Sequence, residues 1–369
     1  MFLDVLEKYD WNKIKQDIYS KTEKDVLLAL NKPKRDLEDF KTLVSPAAFP
    51  YLEQMAKLSN KLTQKRFGKI IQLFIPLYLS NYCINECVYC GFNCHNDIER
   101  IILDEEQILN EVEAIKSYGF EHILLVTGEA PSIAGMEYFE RVIKLIKPYF
   151  ALISMEVQPL EAAEYIKLKK LGLNTVYIYQ ETYNKESYKK FHGKTKKSDF
   201  AYRLHTPDRL GKAEMHRIGI ASLLGLEDWR TDAFFTALHL KYLEKKYWKS
   251  KCSISFPRLR PHKGSFKPEF SISDAELVQL ITSYRIFDEE VELSISVRES
   301  RKFRDNVVKL GITSMSAGSK TKPGAYALNY NALEQFEVFD ERTPSEVVDM
   351  IKSKGYEPVW KDWDYYMQL

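Results

Sequence analysis

The feature that most constrains the fold of this chain is an alternation of two patterns that begins near residue 70. Short apolar, β-branched or aromatic runs are each followed by a longer segment with the apolar spacing of a helix. The runs that predict strands are Ile70–Leu79, His122–Thr127, Ala151–Val157, Thr175–Tyr179, Arg217–Leu223, Cys252–Pro257, Val291–Val297 and Ile312–Ser316. The segments that predict helices are Asp104–Tyr118, Met136–Lys147, Leu160–Leu171, Asp199–His216, Thr231–Lys246, Ser273–Phe287 and Arg301–Leu310. Because each helical crossover returns the chain to the same end of the sheet, strands in this order pair in parallel.

Eight strands that alternate with helices favour one closed arrangement, an α/β fold of the (β/α)8 TIM-barrel type over residues 70–319. The alternative is an open, doubly wound sheet. It is disfavoured because no G-x-G-x-x-G follows the first strand, where a dinucleotide site would begin. In a barrel the loops that follow the strands meet at one face, so those loops are where chemistry is expected.

The two ends of the chain do not follow the alternation. Residues 1–69 are predicted to form a helical N-terminal extension with helices at Asp4–Tyr19, Thr22–Leu30, Leu37–Leu43 and Ala47–Leu62. Residues 320–369 are predicted to form a C-terminal wrap with one helix, Pro344–Lys354, followed by an aromatic tail that contains Tyr356, Trp360, Trp363, Tyr365 and Tyr366. We expect both ends to wrap around the barrel, and the aromatic tail to act as a lid that excludes water from its mouth.

Charge and cysteine content exclude several classes of function. Lysine and arginine total 54 and aspartate and glutamate total 52, so the net charge of +2 argues against a nucleic-acid partner. No run approaches 18 consecutive apolar residues, and acidic residues stand where a signal peptide has a basic start, so we expect neither a membrane span nor export. Four of the five cysteines lie within twelve residues, which indicates metal or thiol chemistry in the cytoplasm.

The loop after the first strand carries three of those cysteines, Cys83, Cys87 and Cys90, separated by three and two residues. Thiolates this close together favour an iron–sulfur cluster, zinc or copper(I). A structural zinc site needs a fourth ligand, usually from a second cysteine pair, and only Cys94 is near enough to supply one. Three thiolates on a four-iron cubane leave one iron free for a small molecule. Cys252 is expected to be a buried strand cysteine.

The triplet resembles the signature of the radical S-adenosylmethionine (SAM) superfamily, C-x3-C-x-aromatic-C, in which Tyr89 fills the aromatic position. The resemblance implies a [4Fe–4S] cluster on the three cysteines and SAM on the free iron. Further motifs follow successive strands: Thr127-Gly128-Glu129, Gln158-Pro159, Gln180-Glu181-Thr182-Tyr183, Arg203 and Leu223-Leu224-Gly225. By resemblance, Tyr89 lies near the adenine, Thr127, Gly128 and Glu129 hold the amino end of SAM, and Gln158 belongs to the same site. Glu181 and Arg203 bind its amino and carboxylate groups, and Leu224 lines the adenosine pocket.

Each of these motifs also has a simpler interpretation. Thr127 could cap an ordinary turn between a strand and a helix. Glu181 and Arg203 could form a surface ion pair that contributes little to stability. Their joint occurrence at successive strand ends favours the cofactor site.

Within the superfamily the chain resembles the aromatic amino acid lyases, and most closely the 2-iminoacetate synthase family. The segments that carry this resemblance are Ile178-Tyr-Gln-Glu-Thr-Tyr, His192-Gly-Lys-Thr, Leu226-Glu-Asp-Trp-Arg230, Ser255-Phe-Pro-Arg-Leu-Arg-Pro261, Leu293-Ser-Ile-Ser-Val-Arg-Glu299 and Gln335-Phe-Glu-Val-Phe-Asp340. The resemblance implies cleavage of the Cα–Cβ bond of L-tyrosine to 2-iminoacetate and p-cresol, with methionine and 5′-deoxyadenosine as further products, for thiamine thiazole synthesis. It also implies a thiazole synthase partner and a flavodoxin or ferredoxin as reductant.

The reaction that the resemblance implies needs the tyrosine carboxylate to be held so that the amino group, and not the side chain, faces the radical. Arg298 is expected to clamp the tyrosine carboxylate with Ser296 as a helper, and Tyr78 stands five residues before the first cluster cysteine, where the related tryptophan lyase has a tyrosine. The simpler interpretation of Arg298 is a salt bridge with Glu299. Ser314 or Ser316 could add a hydroxyl donor. His192, His205 and His262 are candidate proton partners, and a structural role is an equal alternative for each.

Three alternatives to the tyrosine lyase remain open at this point. A tryptophan lyase would share these motifs. A lyase of [FeFe]-hydrogenase maturation would carry a second cysteine cluster, and no cysteine follows Cys252 here, so production of carbon monoxide and cyanide is not expected. A zinc-stabilised barrel without activity would use the same cysteines as structural ligands.

Overall fold

A computed structural model describes residues 1–361 of the chain. Its strands are β1 (Ile70–Ser80), β2 (His122–Thr127), β3 (Leu152–Glu156), β4 (Leu173–Tyr177), β5 (Arg217–Ile220), β6 (Lys251–Ser255), β7 (Glu292–Ile295), β8 (Ser314–Ser316) and β9 (Glu357–Val359). All eight predicted strands are present, with ends that differ by a few residues. The ninth, β9, was not predicted from the sequence.

The first eight strands close into a barrel in sequence order. Every neighbouring pair is parallel, and β1 completes the ring by pairing with β2 through Ile75 and Ile123 and with β8 through Gln72 and Ser314. The predicted fold class, a (β/α)8 TIM-type barrel, is therefore confirmed. The carboxyl ends of the eight strands meet at one face, the mouth of the barrel.

The α-helices cover the outside of the barrel and form most of the N-terminal part. They are α1 (Phe2–Leu6), α2 (Trp11–Ser20), α3 (Glu23–Asn31), α4 (Leu37–Leu43), α5 (Leu52–Phe67), α6 (Glu105–Ser117), α7 (Met136–Ile146), α8 (Ala162–Leu171), α9 (Lys185–His192), α10 (Phe200–Leu204), α11 (Thr206–Lys212), α12 (Trp229–Lys246), α13 (Asp274–Phe287), α14 (Arg301–Val307) and α15 (Pro344–Ser353). Among the described residues, no helix combines the length and the apolar character that crossing a bilayer requires.

Three predicted helices are divided or shortened, each for a local reason. The first splits between α1 and α2 because the Asp10 side chain accepts a hydrogen bond from the backbone N–H of Lys13 and starts a new helix. The segment that begins near residue 47 opens with a 3-10 helix at Pro46–Tyr51, since its prolines lack backbone donors. The segment 199–216 divides between α10 and α11, where Pro207 lies in the first turn of the second helix.

The N-terminal helices pack on the barrel rather than standing apart from it. Helices α4 and α5 contact α13, and α2 and α4 contact α12. A second apolar cluster joins Val26, Met55 and Leu62 of the extension to Ile286 of α13. The boundaries at residues 69 and 319 stay a prediction.

The described part of the aromatic tail, Tyr356 and Trp360, does not cover the mouth. Strand β9 pairs with Ile70–Gln72, the first residues of β1, and Trp360 packs edge-on against Phe120, which precedes β2. Tyr356 and Trp360 therefore lie at the opposite end of the barrel, and the lid prediction is wrong for them, because pairing with the amino end of β1 fixes their position. Trp363, Tyr365 and Tyr366 lie outside the described residues. At the mouth the chain contributes residues near 335 instead.

Candidate active site

The three cysteines of the first loop line one wall of a cavity at the barrel mouth that contains about 910 Å³ of empty space. Short backbone hydrogen bonds fix the loop: the N–H of Ile84 donates to the carbonyl of Glu129 at 3.0 Å, and that of Cys90 to Cys87 at 3.2 Å. Cys87 is buried, and Cys83 and Cys90 are half-buried. The loop therefore presents three thiols to one space.

Burial disfavours the free thiolate at each of these cysteines. It raises the pKa of the Cys83 thiol to about 11, with a contribution from Cys90 nearby, and it raises the pKa values of Cys87 and Cys90 as well. A metal centre reverses this preference, because a coordinating thiol is deprotonated outright. Cys94, in contrast, is exposed and lies beside Glu86 and His95, away from the cavity wall.

Two acidic and two basic side chains form a buried cluster in the same cavity as the cysteines. Arg203 donates to Glu129 at 2.9 Å and to Glu181 at 3.4 Å, and Lys197 donates to Glu181 at 2.9 Å. Burial opposes ionisation of both carboxyls, yet Arg203 and Lys197 bring their pKa values below the usual range. The cavity thus carries fixed charges of both signs, which suits a ligand that is itself a zwitterion.

Glu181 reaches this cluster through an unusual backbone conformation. Its φ is 69°, in the left-handed region that a non-glycine residue enters at a cost of about 1–2 kcal/mol. The N–H of Leu223 donates to the Glu181 carbonyl at 2.7 Å, and the Arg203 side chain donates to the carbonyl of Tyr179 at 2.6 Å. These bonds hold the turn after β4 in the conformation that aims the carboxylate into the cavity.

The turn after β2 packs its backbone directly against the cysteine loop. A Cβ on Gly128 would overlap the carbonyl oxygen of Tyr82 and press on the Cβ of Cys83 at 3.0 Å, so only glycine fits beside the cysteine loop. The Thr127 hydroxyl lines the cavity and has no hydrogen-bond partner among the described residues. A buried hydroxyl in this state is suited to bonding a bound molecule.

Tyr89 lines the same cavity and is fixed from behind by a histidine. The His192 Nδ1 lies 2.6 Å from the Tyr188 carbonyl, which can only accept, so Nδ1 donates and Nε2 accepts from the Tyr89 hydroxyl at 2.7 Å. Burial and the charge of Lys197 hold the His192 pKa well below its usual value. His192 is therefore a neutral anchor for Tyr89 rather than a group exposed to the cavity.

Two predicted cofactor residues lie elsewhere. Gln158 lines a smaller side pocket behind Glu129 and Arg203, where its carbonyl oxygen has no partner among the described residues. Leu224 belongs to the core between strands and helices, and its neighbour Leu223 lines the cavity. The structure thus brings Leu223, rather than the predicted Leu224, to the cavity wall, because successive side chains on an extended segment point to opposite sides.

A second cavity, of about 710 Å³, continues from the first into the barrel. Phe74, Tyr177 and Tyr179 give it an aromatic wall, and Tyr78 lines it as predicted. The Tyr78 hydroxyl donates to the Gln335 side-chain carbonyl at 2.8 Å. The same Gln335 side chain lies 3.8 Å from the Cys90 sulfur, so it connects the two cavities.

Arg298 lies where the two cavities meet and lines both. Its guanidinium stacks on the Phe336 ring, 3.4 Å from the ring centroid, and one nitrogen donates to the Arg258 carbonyl at 3.3 Å. No carboxylate pairs with it among the described residues. The alternative salt bridge with Glu299 is wrong, because that buried carboxylate is held by Arg258 and Arg260.

Some of the remaining predicted residues line a cavity and others do not. Ser296 and Ser316 line the second cavity, whereas Ser314 does not. The Ser296 hydroxyl accepts from the N–H of Arg298 at 3.4 Å. His205 and His262 line neither cavity.

Sequence reasoning missed three features of this site. Lys197 follows the recognised His192-Gly-Lys-Thr segment and gave no separate signal in a chain with many lysines. Gln335 and Phe336 come from a coil without periodicity. Glu156 closes β3 and lines both cavities; its position at a strand end was the signal that could have revealed it.

Comparison with known proteins identifies this architecture. Residues 77–235 match the Radical SAM superfamily model, and residues 255–357 match the Biotin and Thiamin Synthesis associated domain. The chain is 48% identical over 367 residues to 2-iminoacetate synthase of Escherichia coli (strain K12), a match that covers 99% of this chain and 97% of that protein. The chain belongs to the 2-iminoacetate synthase family. The enzyme from Salmonella typhimurium (strain LT2) is 46% identical over the same length.

A solved structure agrees with this assignment. The crystal structure of HydG, a maturase of the [FeFe]-hydrogenase, matches with a TM-score of 0.91 and 31% identity over 97% of this chain and 81% of that one. As a 2-iminoacetate synthase family member, the chain is a radical SAM lyase whose cofactors are a [4Fe–4S] cluster and SAM. The residues present fit both groups: three thiols face one space, and an unpaired hydroxyl and charges of both signs face them.

Proposed function

We propose that this protein cleaves the Cα–Cβ bond of L-tyrosine to 2-iminoacetate and p-cresol, with methionine and 5′-deoxyadenosine as further products, in thiamine thiazole synthesis. The observation that carries the proposal is Arg298, a half-buried cation without a carboxylate partner among the described residues, placed where the cofactor cavity meets an aromatic-walled cavity. The near full-length similarity to 2-iminoacetate synthases supports it.

In this proposal Cys83, Cys87 and Cys90 hold the cluster, and Cys94 takes no part because it faces solvent. The cluster and SAM together supply the abstraction of a hydrogen atom that starts the reaction. Glu129 and Glu181 receive the amino group of SAM, and its carboxylate is received by Arg203, with Lys197 adding a second cation. Tyr89, Thr127, Gly128 and Leu223 line the space beside it. Gln158 lines the side pocket that Glu129 and Arg203 also line.

The substrate is held in the second cavity, next to the point where it meets the cofactor cavity. Arg298 binds the tyrosine carboxylate through its free donors, since a guanidinium matches a carboxylate with two parallel hydrogen bonds. Ser296 and Ser316 offer hydroxyls along the same wall, and Tyr78 lies below them. The aromatic wall of the second cavity takes the phenol ring. This orientation turns the amino group, rather than the side chain, toward the cofactor cavity.

Two partners complete the proposal. A thiazole synthase consumes the imine, which hydrolyses readily in water, and a flavodoxin or ferredoxin delivers electrons. We place the reaction in the cytoplasm, where clustered thiols stay reduced.

The proposal is tested with anaerobically reconstituted protein, SAM, reductant and either tyrosine or tryptophan. We expect p-cresol from tyrosine and no indole product from tryptophan. Arg298→Ala is expected to keep its iron and to raise the KM for tyrosine at least tenfold, because the carboxylate loses a charged hydrogen bond. Arg301→Ala, an exposed arginine three residues away, is the matched control. Indole products, or an Arg298→Ala variant with unchanged kinetics, would contradict the proposal.

A further inference from the structure

Glu156 is an acidic residue that has no role in the SAM site proposed above. It ends β3, whose Ile153 and Met155 belong to the outer core, so the alternation of the strand directs Glu156 into the barrel. There it lines both cavities, as Arg298 does. It lies in register with Val126, one strand away from the turn that carries Thr127 and Gly128. The carboxylate is thus part of the boundary between cofactor and substrate.

Neither carboxylate oxygen of Glu156 accepts a hydrogen bond from residues 1–361. The other acidic groups at the mouth differ, because Glu129 and Glu181 are both paired with cations. Glu156 is half-buried, and its carboxylate opens into the cavity space rather than onto a protein partner. The free position of Glu156 therefore points to a cationic or hydrogen-donating ligand that arrives with the substrate.

The proposed reaction provides such a ligand and needs such a group. The nitrogen of an amino acid enters as an ammonium with three hydrogens, and the nitrogen of 2-iminoacetate carries one. One hydrogen leaves as an atom to become part of 5′-deoxyadenosine, and the other must leave as a proton. Loss of the proton leaves a lone pair on nitrogen, and loss of the hydrogen atom leaves one unpaired electron there. That unpaired electron pairs with one electron of the breaking Cα–Cβ bond to form C=N. The other electron leaves with the p-hydroxybenzyl fragment, which takes up one electron from the flavodoxin or ferredoxin reductant and one proton to become p-cresol. The residues assigned so far include no base beside the nitrogen to take the proton.

We propose that Glu156 binds the α-amino group of the substrate amino acid and accepts its surplus proton. This inference rests on the function proposed above and adds the group that deprotonates the reacting nitrogen. Arg298 fixes the position: with the substrate carboxylate on its guanidinium, the amino group on the adjacent carbon lies at the same boundary, which Glu156 also lines.

The surroundings of Glu156 suit a base that works near neutral pH. Burial raises the pKa of Glu156 to about 7, and the nearby Arg298 guanidinium opposes that rise. The other titratable and charged groups that face it are Tyr78, Tyr177, Tyr179, Glu181, Lys197 and Arg203. Arg298, Lys197 and Arg203 act on Glu156 through their charge without donating a hydrogen bond to it, and the substrate ammonium supplies such a donor.

The test compares Glu156→Gln with the unmodified holoenzyme, using p-cresol and glyoxylate from the hydrolysed imine as readouts. Glutamine keeps the shape and a hydrogen-bond acceptor but cannot take a proton, so kcat/KM for tyrosine is expected to fall about 100-fold, as for loss of a general base. In the unmodified enzyme kcat/KM should rise as pH increases through about 7, where Glu156 ionises. Glu156→Gln should lose that limb, and Glu156→Asp should keep it. Glu113→Gln, an exposed glutamate, is the matched control.

A binding measurement checks the inference independently of turnover. The desamino analogue 3-(4-hydroxyphenyl)propanoate lacks the amino group, so the holoenzyme should bind tyrosine at least tenfold more tightly, and Glu156→Gln should lose most of that difference. Iron content of each variant establishes that the site has assembled. The role of Glu156 alone would be overturned if Glu156→Gln still bound tyrosine more tightly than the desamino analogue by the normal factor. It would also be overturned if Glu156→Gln kept its kcat/KM within threefold of normal together with the rise with pH. Unmodified enzyme that yields no p-cresol would overturn the proposed function as well.

Discussion

Glu111 provides the sharpest test of how the barrel mouth is closed. This glutamate of α6 is fully buried, and its carboxylate accepts hydrogen bonds from three consecutive backbone N–H groups: Tyr326 at 3.0 Å, Ala327 at 2.6 Å and Leu328 at 3.1 Å. The segment it holds leads directly to Gln335 and Phe336 at the mouth. We therefore predict that Glu111 fixes the C-terminal wrap over the active site.

The size of the effect follows from the bonds that are lost. Hydrogen bonds to a charged group contribute about 1.5–3 kcal/mol each, but the segment can turn its donors to water once released. We therefore expect Glu111→Ala to lower the free energy of local opening of this segment by about 3 kcal/mol. Since about 1.4 kcal/mol is a factor of ten, amide exchange of residues 326–328 should accelerate about 100-fold.

Hydrogen exchange followed by mass spectrometry measures this directly. Glu113→Ala, an exposed glutamate on the same helix, is the control and should leave exchange at residues 326–328 unchanged. Because the mouth loses Phe336 from beneath Arg298, the KM for tyrosine should rise in Glu111→Ala. Exchange within threefold of the unmodified protein would refute the argument that this one carboxylate anchors the segment.

Two further predictions concern the cofactor turn and the N-terminal packing. Gly128→Ala should abolish SAM binding measured by equilibrium dialysis while the protein stays folded by circular dichroism, because the added Cβ overlaps the backbone of the cysteine loop; normal SAM affinity would disprove it. Asp208 is buried, which raises its pKa, but hydrogen bonds from Lys246 and two tyrosines bring the pKa down to about 2. Ionised Asp208 thus stabilises the folded protein above pH 4, and this stabilisation is lost as the pH falls toward 2. Asp208→Asn should therefore lower the free energy of unfolding by about 2 kcal/mol at pH 7 and by progressively less in acid. A cost independent of pH in urea titrations would contradict that assignment.

Much of the cofactor site could be read from the chain because it is built from local sequence. Cys83, Cys87 and Cys90 stand in one loop, and their spacing alone brings the thiols together. Glu181 and Arg203 follow strand ends, and the closure of a parallel barrel places all strand ends at one face. Leu224 shows the limit of such reasoning, because a shift of one residue on an extended segment moves a side chain from the cavity to the core.

The sequence by itself determined the eight strands, the order in which they pair and the thiol loop, since these depend on apolar periodicity and short-range spacing. The tertiary structure alone decided which groups share a charge environment. Glu156 and Arg298 lie 142 residues apart and meet only because β3 and β7 open on the same mouth. Gln335 reaches that mouth, and Tyr356 and Trp360 do not, because Glu111 and the amino end of β1 hold the C-terminal segment at two distant points. Long-range contacts of this kind have no periodic signature, so only the folded chain reveals them.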